Sequence, residues 1–376
     1  MVEAALVLED GTTLIGEPCG ANADAVFELV FNTSMTGYQE ILTDPSYRGQ
    51  GVMFTTSHIG NLGINPEDYE SQVPQVSAVV MRALSPVISN WRSHLSLESW
   101  LAGHGIPGIS GVDTRYLTRK LRDQGTMKAA LSTRGTSPEN LLQMARQWAG
   151  LDGLDMVGEV TCKQPYDWPG DPASRWVSFP SAHSLSSFHV VVYDFGVKRN
   201  ILRCLSAKGA RVTVVPAGCC FQELVAWKPD GVVLSNGPGD PAGLPYAVDT
   251  TRSLLDAGIP VLGICLGHQL LGLALGGETE RLKFGHHGGN HPVQDLRTGQ
   301  VLITSQNHNY FVKTESLDPQ AVEITHLSLN DNSLEGMRLH NRPVLSVQFH
   351  PEASPGPHDA FGFFDDFIAC LSDHRG

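Results

Sequence analysis

The chain has 376 residues, and its 39 acidic residues outnumber its 26 Lys and Arg residues, which gives a net charge of −13. This acidity argues against binding to nucleic acids or to anionic membranes, because both require a basic surface and the sequence has no run of Lys or Arg. Apolar residues make up 41% of the chain, which is enough to form the cores of about two or three domains and excludes extensive disorder.

We expect neither a targeting segment nor a disulfide framework in this chain. The first residues, Met1–Asp10, contain no basic segment ahead of an apolar one, so we expect no signal or transit peptide. The most apolar stretch, Ile259–Gly277, contains His268 and Gln269, which favours a buried strand and helix over a membrane span. The 7 cysteines are odd in number and include no C-x-x-C pair, so we expect reduced thiols and a cytoplasmic location.

Residues 1–150 have the pattern of a small, strand-rich α/β domain. Two apolar runs, Ala4–Leu8 and Thr12–Ile15, flank Glu9-Asp10-Gly11 and predict a hairpin. Further strands are predicted at Ala25–Phe31, Gly51–Thr55 and Gln75–Met81. Helices are predicted at Asp113–Gln124, with Tyr116, Leu117 and Leu121 on its apolar face, and at Ser137–Trp148.

Residues 151–187 are predicted to form a linker, because from Gln164 onward they are rich in Pro, Ser, Gly and Trp and show no periodicity. The third segment, 188–376, alternates strand and helix patterns, which predicts an α/β domain with a parallel or mixed sheet flanked by helices. Its predicted strands are His189–Phe195, Arg211–Pro216, Gly231–Leu234, Pro260–Cys265 and Pro343–Phe349. Its predicted helices are Lys198–Lys208, Phe221–Trp227, Ala247–Ala257 and Leu266–Leu275.

Cys265 is the candidate nucleophile. It lies where the strand from Pro260 ends and a helix begins, within Gly263-Ile-Cys265-Leu-Gly267, the cysteine counterpart of the G-x-S-x-G elbow. The flanking glycines allow a sharp turn, and the positive end of the helix favours the thiolate. A buried structural cysteine is the alternative at this position.

His350 and Glu352 are the candidate partners of that thiol. Both follow the predicted strand that begins at Pro343, at the edge of the sheet where active sites of such folds lie. The imidazole would act as base and acid, and the carboxylate two residues later would orient it. A histidine at a strand end is more often structural, but its pairing with Cys265 on one sheet favours catalysis.

A glycine-rich loop supplies candidate oxyanion donors. Ser235-Asn-Gly-Pro-Gly-Asp-Pro241 follows another buried strand, and we expect the backbone N–H groups of Gly239 and Leu266 to bind the oxyanion. Phosphate binding is the rival interpretation, but the chain contains neither G-x-x-x-x-G-K-[ST] nor G-x-G-x-x-G at this loop.

At these residues the sequence resembles the class I (Cys-His-Glu) glutamine amidotransferases, and within them the small, glutamine-hydrolysing subunits of carbamoyl-phosphate synthase. The segments that carry the resemblance are Asn32–Tyr47, Phe284–Pro292, Ser305–His308 and His350–Pro357. The resemblance extends from the first strand to the last helix and implies a class I amidotransferase domain at 188–376, preceded by the small-subunit domain at 1–150.

The resemblance implies that Cys265, His350 and Glu352 form the catalytic triad. It also implies a set of L-glutamine-binding residues: Ser46, Gly237, Gly239, Leu266, Gln269, Asn307, Asn309 and Tyr310. Ser46 would reach the site from the first domain. Asn309 and Tyr310 replace the Gly and Phe of the family pattern, and we expect function to survive because binding there uses backbone groups. Asn also tolerates a left-handed backbone.

For partners, the resemblance implies a heterodimer, or a higher oligomer of heterodimers, with a large synthetase subunit. That subunit would bind the ATP and Mg needed to make carbamoyl phosphate from bicarbonate for arginine and pyrimidine synthesis, and this chain would hold no cofactor. We expect the first domain to be the main docking surface, because it carries no evident chemistry.

Three alternative functions share parts of this pattern: an amidotransferase that serves another synthetase, a regulatory subunit with a dead glutaminase site, and a thiol hydrolase of the dienelactone type. A zinc site at His286, His287 and His291 is disfavoured, since adjacent residues of an extended segment point apart. We interpret these histidines as hydrogen-bonded groups of a glycine-rich loop.

Overall fold

The computed structural model describes residues 3–170 and 188–375. Its contacts divide the chain into two compact units. The first unit contains Met1–Leu151 together with Lys283–Gly288, and the second contains Asp152–Leu282 and Gly289–Gly376. Among the described residues, no helix combines the length and apolarity that a bilayer span requires.

The first unit is built on a closed barrel of strands in the order β1-β2-β6-β5-β4-β3-β7. Its strands are β1 (Ala4–Leu8), β2 (Thr13–Gly20), β3 (Asp24–Asn32), β4 (Gln50–Phe54), β5 (Ala78–Val80), β6 (Pro107–Ser110) and β7 (Met127–Ser132). The predicted first hairpin is confirmed, since β1 and β2 pair antiparallel. Barrel closure leaves no unpaired edge, which the sequence pattern alone did not indicate.

Four helices accompany the barrel: α1 (Tyr38–Thr43), α2 (Leu97–Gly103), α3 (Thr114–Gln124) and α4 (Pro138–Gln147). The prediction for α3 is confirmed at both ends, because the Asp113 carboxylate accepts the Tyr116 N–H and Gly125 has a φ of 100°. Leu117 and Leu121 are fully buried, but Tyr116 is 48% exposed. The prediction that Tyr116 faces the core is therefore wrong, since it lies one residue from the buried i, i+4 pair.

The second unit contains a mixed sheet in the order β14-β13-β15-β16-β17-β12-β11-β9-β10-β8. Its strands are β8 (Tyr166–Asp167), β9 (His189–Asp194), β10 (Arg211–Pro216), β11 (Gly231–Leu234), β12 (Val261–Ile264), β13 (Thr279–Asp295), β14 (Val301–Val312), β15 (Val322–Ser328), β16 (Leu334–Leu339) and β17 (Val344–Val347). Strands β10, β9, β11, β12 and β17 run parallel to one another, as predicted. Strands β13, β15 and β16 extend this core in antiparallel pairing.

The helices of the second unit are α5 (Arg199–Ala207), α6 (Phe221–Ala226), α7 (Pro245–Asp256), α8 (Leu266–Ala274) and α9 (Gly362–Arg375). Alternate residues of β9 supply two separate cores: Val191 packs with Leu254 and Leu270, while Val192 packs with Leu205 and Phe367. Because successive side chains of a strand point to opposite faces, the parallel core of the sheet is covered on both sides.

The segment predicted as a linker is partly folded. Residues 152–170 belong to the second unit, where β8 pairs antiparallel with β10 and the Cys162 N–H donates to the Asp194 carboxylate at 2.7 Å. The remainder, 171–187, lies outside the described residues.

Candidate active site

Cys265 occupies the sharp turn between β12 and α8. Its backbone has φ 54° and ψ −104°, a conformation that side-chain-bearing residues rarely adopt and that is typical of a strained nucleophile. The glycines on either side are required by packing. A Cβ at Gly263 would lie 2.6 Å from Leu271 Cδ1, and one at Gly267 would lie 2.1 Å from the Leu234 carbonyl oxygen. The sequence therefore permits this turn only because both neighbours are glycine.

The thiol of Cys265 is buried, with 1% of the residue exposed. Its Sγ lies 3.5 Å from the backbone oxygen of Asn307 on β14. Cys265 directly precedes Leu266, the first residue of α8, whose N–H has no intrahelical acceptor by position. The sulfur thus lies at the positive end of a helix, where negative charge is stabilised.

His350 and Glu352 meet as the sequence predicts. His350 Nδ1 lies 2.6 Å from Glu352 Oε1, and both residues are buried. Although burial alone would lower the pKa of His350, the charges of Glu352 and of the Cys265 sulfur raise it. His350 Nε2 has no hydrogen-bond partner among the described residues, so this nitrogen is available for proton transfer. The His350 N–H also bonds to the Ser305 carbonyl at 2.9 Å, which fixes it beside β14.

Lys198 and Asn200 hold Glu352 in place, and sequence reasoning missed both. The Lys198 ammonium lies 3.0 Å from Glu352 Oε1 and also donates to the Ala353 carbonyl. The Asn200 side chain donates to the Glu352 carbonyl. Burial would raise the pKa of Glu352, but Lys198 and His350 together lower it. A lysine shortly after β9, at the carboxyl edge of a parallel sheet, was the signal that could have identified this contact.

The loop after β11 packs against the start of α8. The Ser235 carbonyl accepts the Gly267 N–H at 3.1 Å, and the Ser235 hydroxyl accepts the Phe195 N–H at 2.9 Å. A Cβ at Gly237 would lie 2.3 Å from the Phe195 oxygen, and Gly239 has a φ of 89°. These two positions therefore require glycine, one for close approach and one for its backbone angle.

Gln269 lies one helical turn after Cys265, and its backbone N–H donates to the Cys265 carbonyl. Its side-chain Nε2 donates to the Tyr310 carbonyl at 2.8 Å and to Gln348 Oε1 at 3.1 Å. Both amide hydrogens are thus engaged within the protein, which leaves Gln269 Oε1 as the acceptor that a ligand can use.

The structure accommodates both residues that depart from the family pattern, Asn309 and Tyr310. Asn309 lies inside β14 and is not among the residues with positive φ, so its tolerance of a left-handed backbone is not needed there. The pairing of the strand sets an extended conformation that any residue adopts. The Tyr310 hydroxyl contacts the Asp152 carboxylate at 2.5 Å, while its carbonyl faces Gln269.

Ser46 and three histidines are the remaining residues that were singled out from the sequence. Ser46 lies in a short 3₁₀ helix of the first unit, where its N–H donates to Asp44 at 2.9 Å. His286, His287 and His291 lie within β13. The prediction of a glycine-rich loop at these histidines is therefore wrong, because sheet pairing overrides the weak strand propensity of glycine.

Comparisons with known proteins agree with this arrangement. Residues 191–370 match the family model of class I glutamine amidotransferases, and residues 6–131 match that of the carbamoyl-phosphate synthase small chain, CPSase domain. The second match argues against service to a different synthetase.

Curated relatives match along nearly the whole chain. The carbamoyl phosphate synthase small chain of Syntrophotalea carbinolica is 50% identical over 100% of this chain and 99% of its own length. That of Vibrio parahaemolyticus is 49% identical over 99% of this chain and 98% of its own. The chloroplastic small chain of Oryza sativa is 51% identical over 99% of this chain and 83% of its own. The chain belongs to the carbamoyl-phosphate synthase small chains, the class I glutamine amidotransferase subunits that hydrolyse glutamine and supply ammonia to a large synthetase subunit.

Proposed function

We propose that Cys265, His350 and Glu352 perform the glutamine hydrolysis of this subunit. The Cys265 sulfur attacks the side-chain amide carbon of L-glutamine and forms a tetrahedral intermediate. His350 Nε2 then donates a proton to the departing nitrogen, and ammonia leaves as the C–N bond breaks. The same imidazole removes a proton from water, which hydrolyses the γ-glutamyl thioester to glutamate and restores the thiol. The strained backbone of Cys265 beside the buried His350–Glu352 pair is the observation that carries this assignment.

The oxyanion of each tetrahedral intermediate would be held by the N–H groups of Leu266 and Gly239. Leu266 begins α8, and its N–H is therefore directed out of the helix toward the space beside Cys265. Gly239 lies in the loop after β11, at the same edge of the sheet as β12. Backbone donors of this kind are preorganised, and removal of one typically costs about 10²–10³ in rate.

The glutamine substrate would be held by backbone groups of 307–310 and by the Gln269 side chain. Gln269 Oε1 would accept a hydrogen bond from the substrate ammonium, because its amide hydrogens are already engaged by Tyr310 and Gln348. Gly237 and Gly239 would line the other side, and Ser46 would contribute from the first unit, as the family resemblance implies. No metal or other cofactor enters this chemistry.

The proposed partner is a large synthetase subunit in a heterodimer, or in a higher oligomer of heterodimers. That partner would bind ATP and Mg and would consume the ammonia, which water would otherwise protonate and inactivate as a nucleophile. We place the main docking surface on the first unit, which exposes large apolar side chains at Met35 (78%) and Trp91 (79%).

A pair of tryptophan variants tests the docking proposal. Trp91→Asp is expected to weaken co-purification with the large subunit, while Trp227→Asp in the second unit (39% exposed in the native chain) is expected to leave it unchanged. Equal assembly by both variants would contradict a docking role for the first unit.

We also propose a cytoplasmic location, because all 7 cysteines are free thiols, as expected in a reducing compartment. Fluorescence microscopy of a tagged chain in its source cells tests this proposal, and accumulation in another compartment would contradict it.

The catalytic assignment is tested by Cys265→Ser in complex with the large subunit. Glutamine-dependent ammonia release is expected to fall by roughly 10³-fold or more, since a hydroxyl replaces the nucleophilic sulfur. Cys204→Ser is the matched control, because Cys204 is 2% exposed against 1% for Cys265 but lies on α5 rather than at the turn. Retained activity in Cys265→Ser would overturn the triad.

A further inference from the structure

Glu335 is a carboxylate that the triad does not use, and it is fully buried on β16. Its Oε2 accepts a hydrogen bond of 2.9 Å from Nε2 of Gln306 on β14. A buried carboxylate is costly unless positive charge and hydrogen bonds compensate it. The contacts of Gln306 and of its neighbours identify the groups that compensate the buried charge of Glu335.

The orientation of the Gln306 amide is fixed by its surroundings. Nε2 donates to Glu335 Oε2 and, at 3.1 Å, to Thr304 Oγ1. The Thr304 hydroxyl already donates its hydrogen to the His291 carbonyl at 2.9 Å, so toward Gln306 it acts as an acceptor. A reversed amide would place its oxygen against a carboxylate and this hydroxyl. Gln306 Oε1 is therefore the atom that faces His308.

His308 consequently contacts an acceptor at each ring nitrogen. Its Nε2 lies 3.0 Å from Gln306 Oε1, and its Nδ1 lies 2.7 Å from the Tyr310 carbonyl oxygen. A neutral imidazole carries one N–H and would direct a lone pair at one of these oxygens. Both contacts are favourable only when both nitrogens carry hydrogen. A His308 ring atom and a Glu335 oxygen lie within 4.8 Å, so the carboxylate balances the resulting charge.

The Tyr310 carbonyl is the point at which this network reaches the candidate active site. It accepts from His308 Nδ1 on one side and from Gln269 Nε2, at 2.8 Å, on the other. Between His308 and Gln306 in the chain lies Asn307, whose carbonyl is 3.5 Å from the Cys265 sulfur. The peptide planes of 307–310 are thus oriented by hydrogen bonds that originate at Glu335.

We propose that Glu335 is a positioning residue for glutamine binding: through Gln306 it keeps His308 doubly protonated and so fixes the backbone of 307–310. This inference rests on the proposed role of that backbone in holding the substrate. Glu335 touches no reacting atom, and its effect is on the affinity for glutamine rather than on the chemical step.

Nitrogen NMR of the full-length chain tests the charge state without any activity measurement. With ¹⁵N-labelled histidine, and with His308→Gln to identify the signals, the wild-type His308 ring is expected to carry hydrogen on both nitrogens. In Glu335→Gln it is expected to carry hydrogen on one. A singly protonated His308 in the wild type would overturn the proposal.

Kinetics of the complex with the large subunit test the consequence. Glu335→Gln is expected to raise KM for glutamine roughly tenfold with a smaller change in kcat, the pattern of lost binding rather than lost chemistry. Glu323→Gln on β15 is the control, since Glu323 pairs with the half-exposed Arg338. A KM within about twofold of wild type, or a lower kcat at unchanged KM, would overturn the proposal.

The double variant Glu335→Gln with Gln306→Glu keeps the experiment decisive if the single variant folds poorly. It moves the carboxylate onto His308 and lets the new amide donate to it, so that the negative charge and the hydrogen bond between residues 306 and 335 are preserved, while the bond to Thr304 is lost. The double variant is expected to restore KM toward wild type, and a folded double variant with a raised KM would contradict the proposal. Loss of Cys265 would lower kcat rather than raise KM, so a failure of the triad assignment can be distinguished from a failure of the Glu335 proposal.

Discussion

The imidazole of His350 and the carboxylate of Glu352 form a 2.6 Å contact in which both side chains are buried, and Lys198 lies 3.0 Å from the same carboxylate oxygen. Two cationic groups therefore share one buried anion. This arrangement keeps Glu352 ionised and leaves its partner imidazole oriented through Nδ1, with Nε2 available for catalysis.

Replacement of Glu352 by Gln is expected to lower kcat for glutamine hydrolysis by roughly ten- to a hundredfold. The amide can still contact His350 Nδ1, but it no longer stabilises the positive imidazolium. The loss is smaller than for a serine nucleophile because a thiol is intrinsically more reactive. Steady-state ammonia release measures the effect, with Glu323→Gln as the control. Wild-type kcat in the variant would show that Glu352 has no orienting role.

The same pair predicts how stability depends on pH. Glu352 has a pKa below its ordinary 4.5, so its stabilising contribution is present above pH 4.5 and is lost as pH falls through the lowered pKa. His350 has a pKa above its ordinary 6.5, so its contribution is complete below pH 6.5 and is lost as pH rises through the raised pKa.

The stabilisation is therefore greatest between pH 4.5 and 6.5. Loss of one partner of a buried pair costs about 3 kcal/mol in free energy of unfolding. Urea midpoints of the wild type and of Glu352→Gln are expected to differ most within this window and to converge below it, whereas above it the difference narrows as His350 loses its proton but the contribution of Lys198 remains. A difference that grows below pH 4 would contradict the assignment of charges.

Gly267→Ala is expected to destabilise the second unit by about 3 kcal/mol, because overpacking against fixed backbone forces a shift. The added methyl would lie 2.1 Å from the Leu234 oxygen and would push α8 away from β11. Glutaminase activity is expected to fall as well, since α8 begins next to Cys265. Gly362→Ala on α9, where a Cβ meets nothing within 4 Å, is the matched control. Equal thermal unfolding temperatures for the two variants would contradict the packing argument.

Tyr310→Phe is expected to leave KM for glutamine within about twofold of wild type. The substitution removes only the hydroxyl contact with Asp152 and retains the carbonyl that faces Gln269. Initial-rate measurements over a range of glutamine concentrations check this expectation. A large rise in KM would assign the hydroxyl, rather than the backbone, to substrate binding.

Local signals made most of the second unit predictable. Apolar runs located β9 to β12, and the spacing of Gly263, Cys265 and Gly267 located the strained turn. These features depend on a few neighbouring residues, so their physical cause is visible in the sequence. The burial of Tyr116 was predicted wrongly because periodicity locates a helix more reliably than it locates the edge of its buried stripe.

Contacts between distant residues were not predictable in the same way. Lys198 pairs with Glu352 across more than 150 positions, and Glu335 reaches Gln306 only because β14 and β16 fold into one sheet. No propensity or motif encodes such a pair. The glycine-rich part of β13 was interpreted as a loop for the same reason, since its strand conformation depends on partners that lie far along the chain.

The most direct test of the account is the identification of the residue that carries the acyl group. The complex with the large subunit is mixed with glutamine, quenched in acid within one turnover, and analysed by peptide mass spectrometry. The account predicts a γ-glutamyl thioester on the peptide that contains Cys265, and none on peptides that contain the other cysteines. Hydrolysis without any adduct at Cys265 under conditions that trap thioesters, or an adduct at a different cysteine, would contradict it.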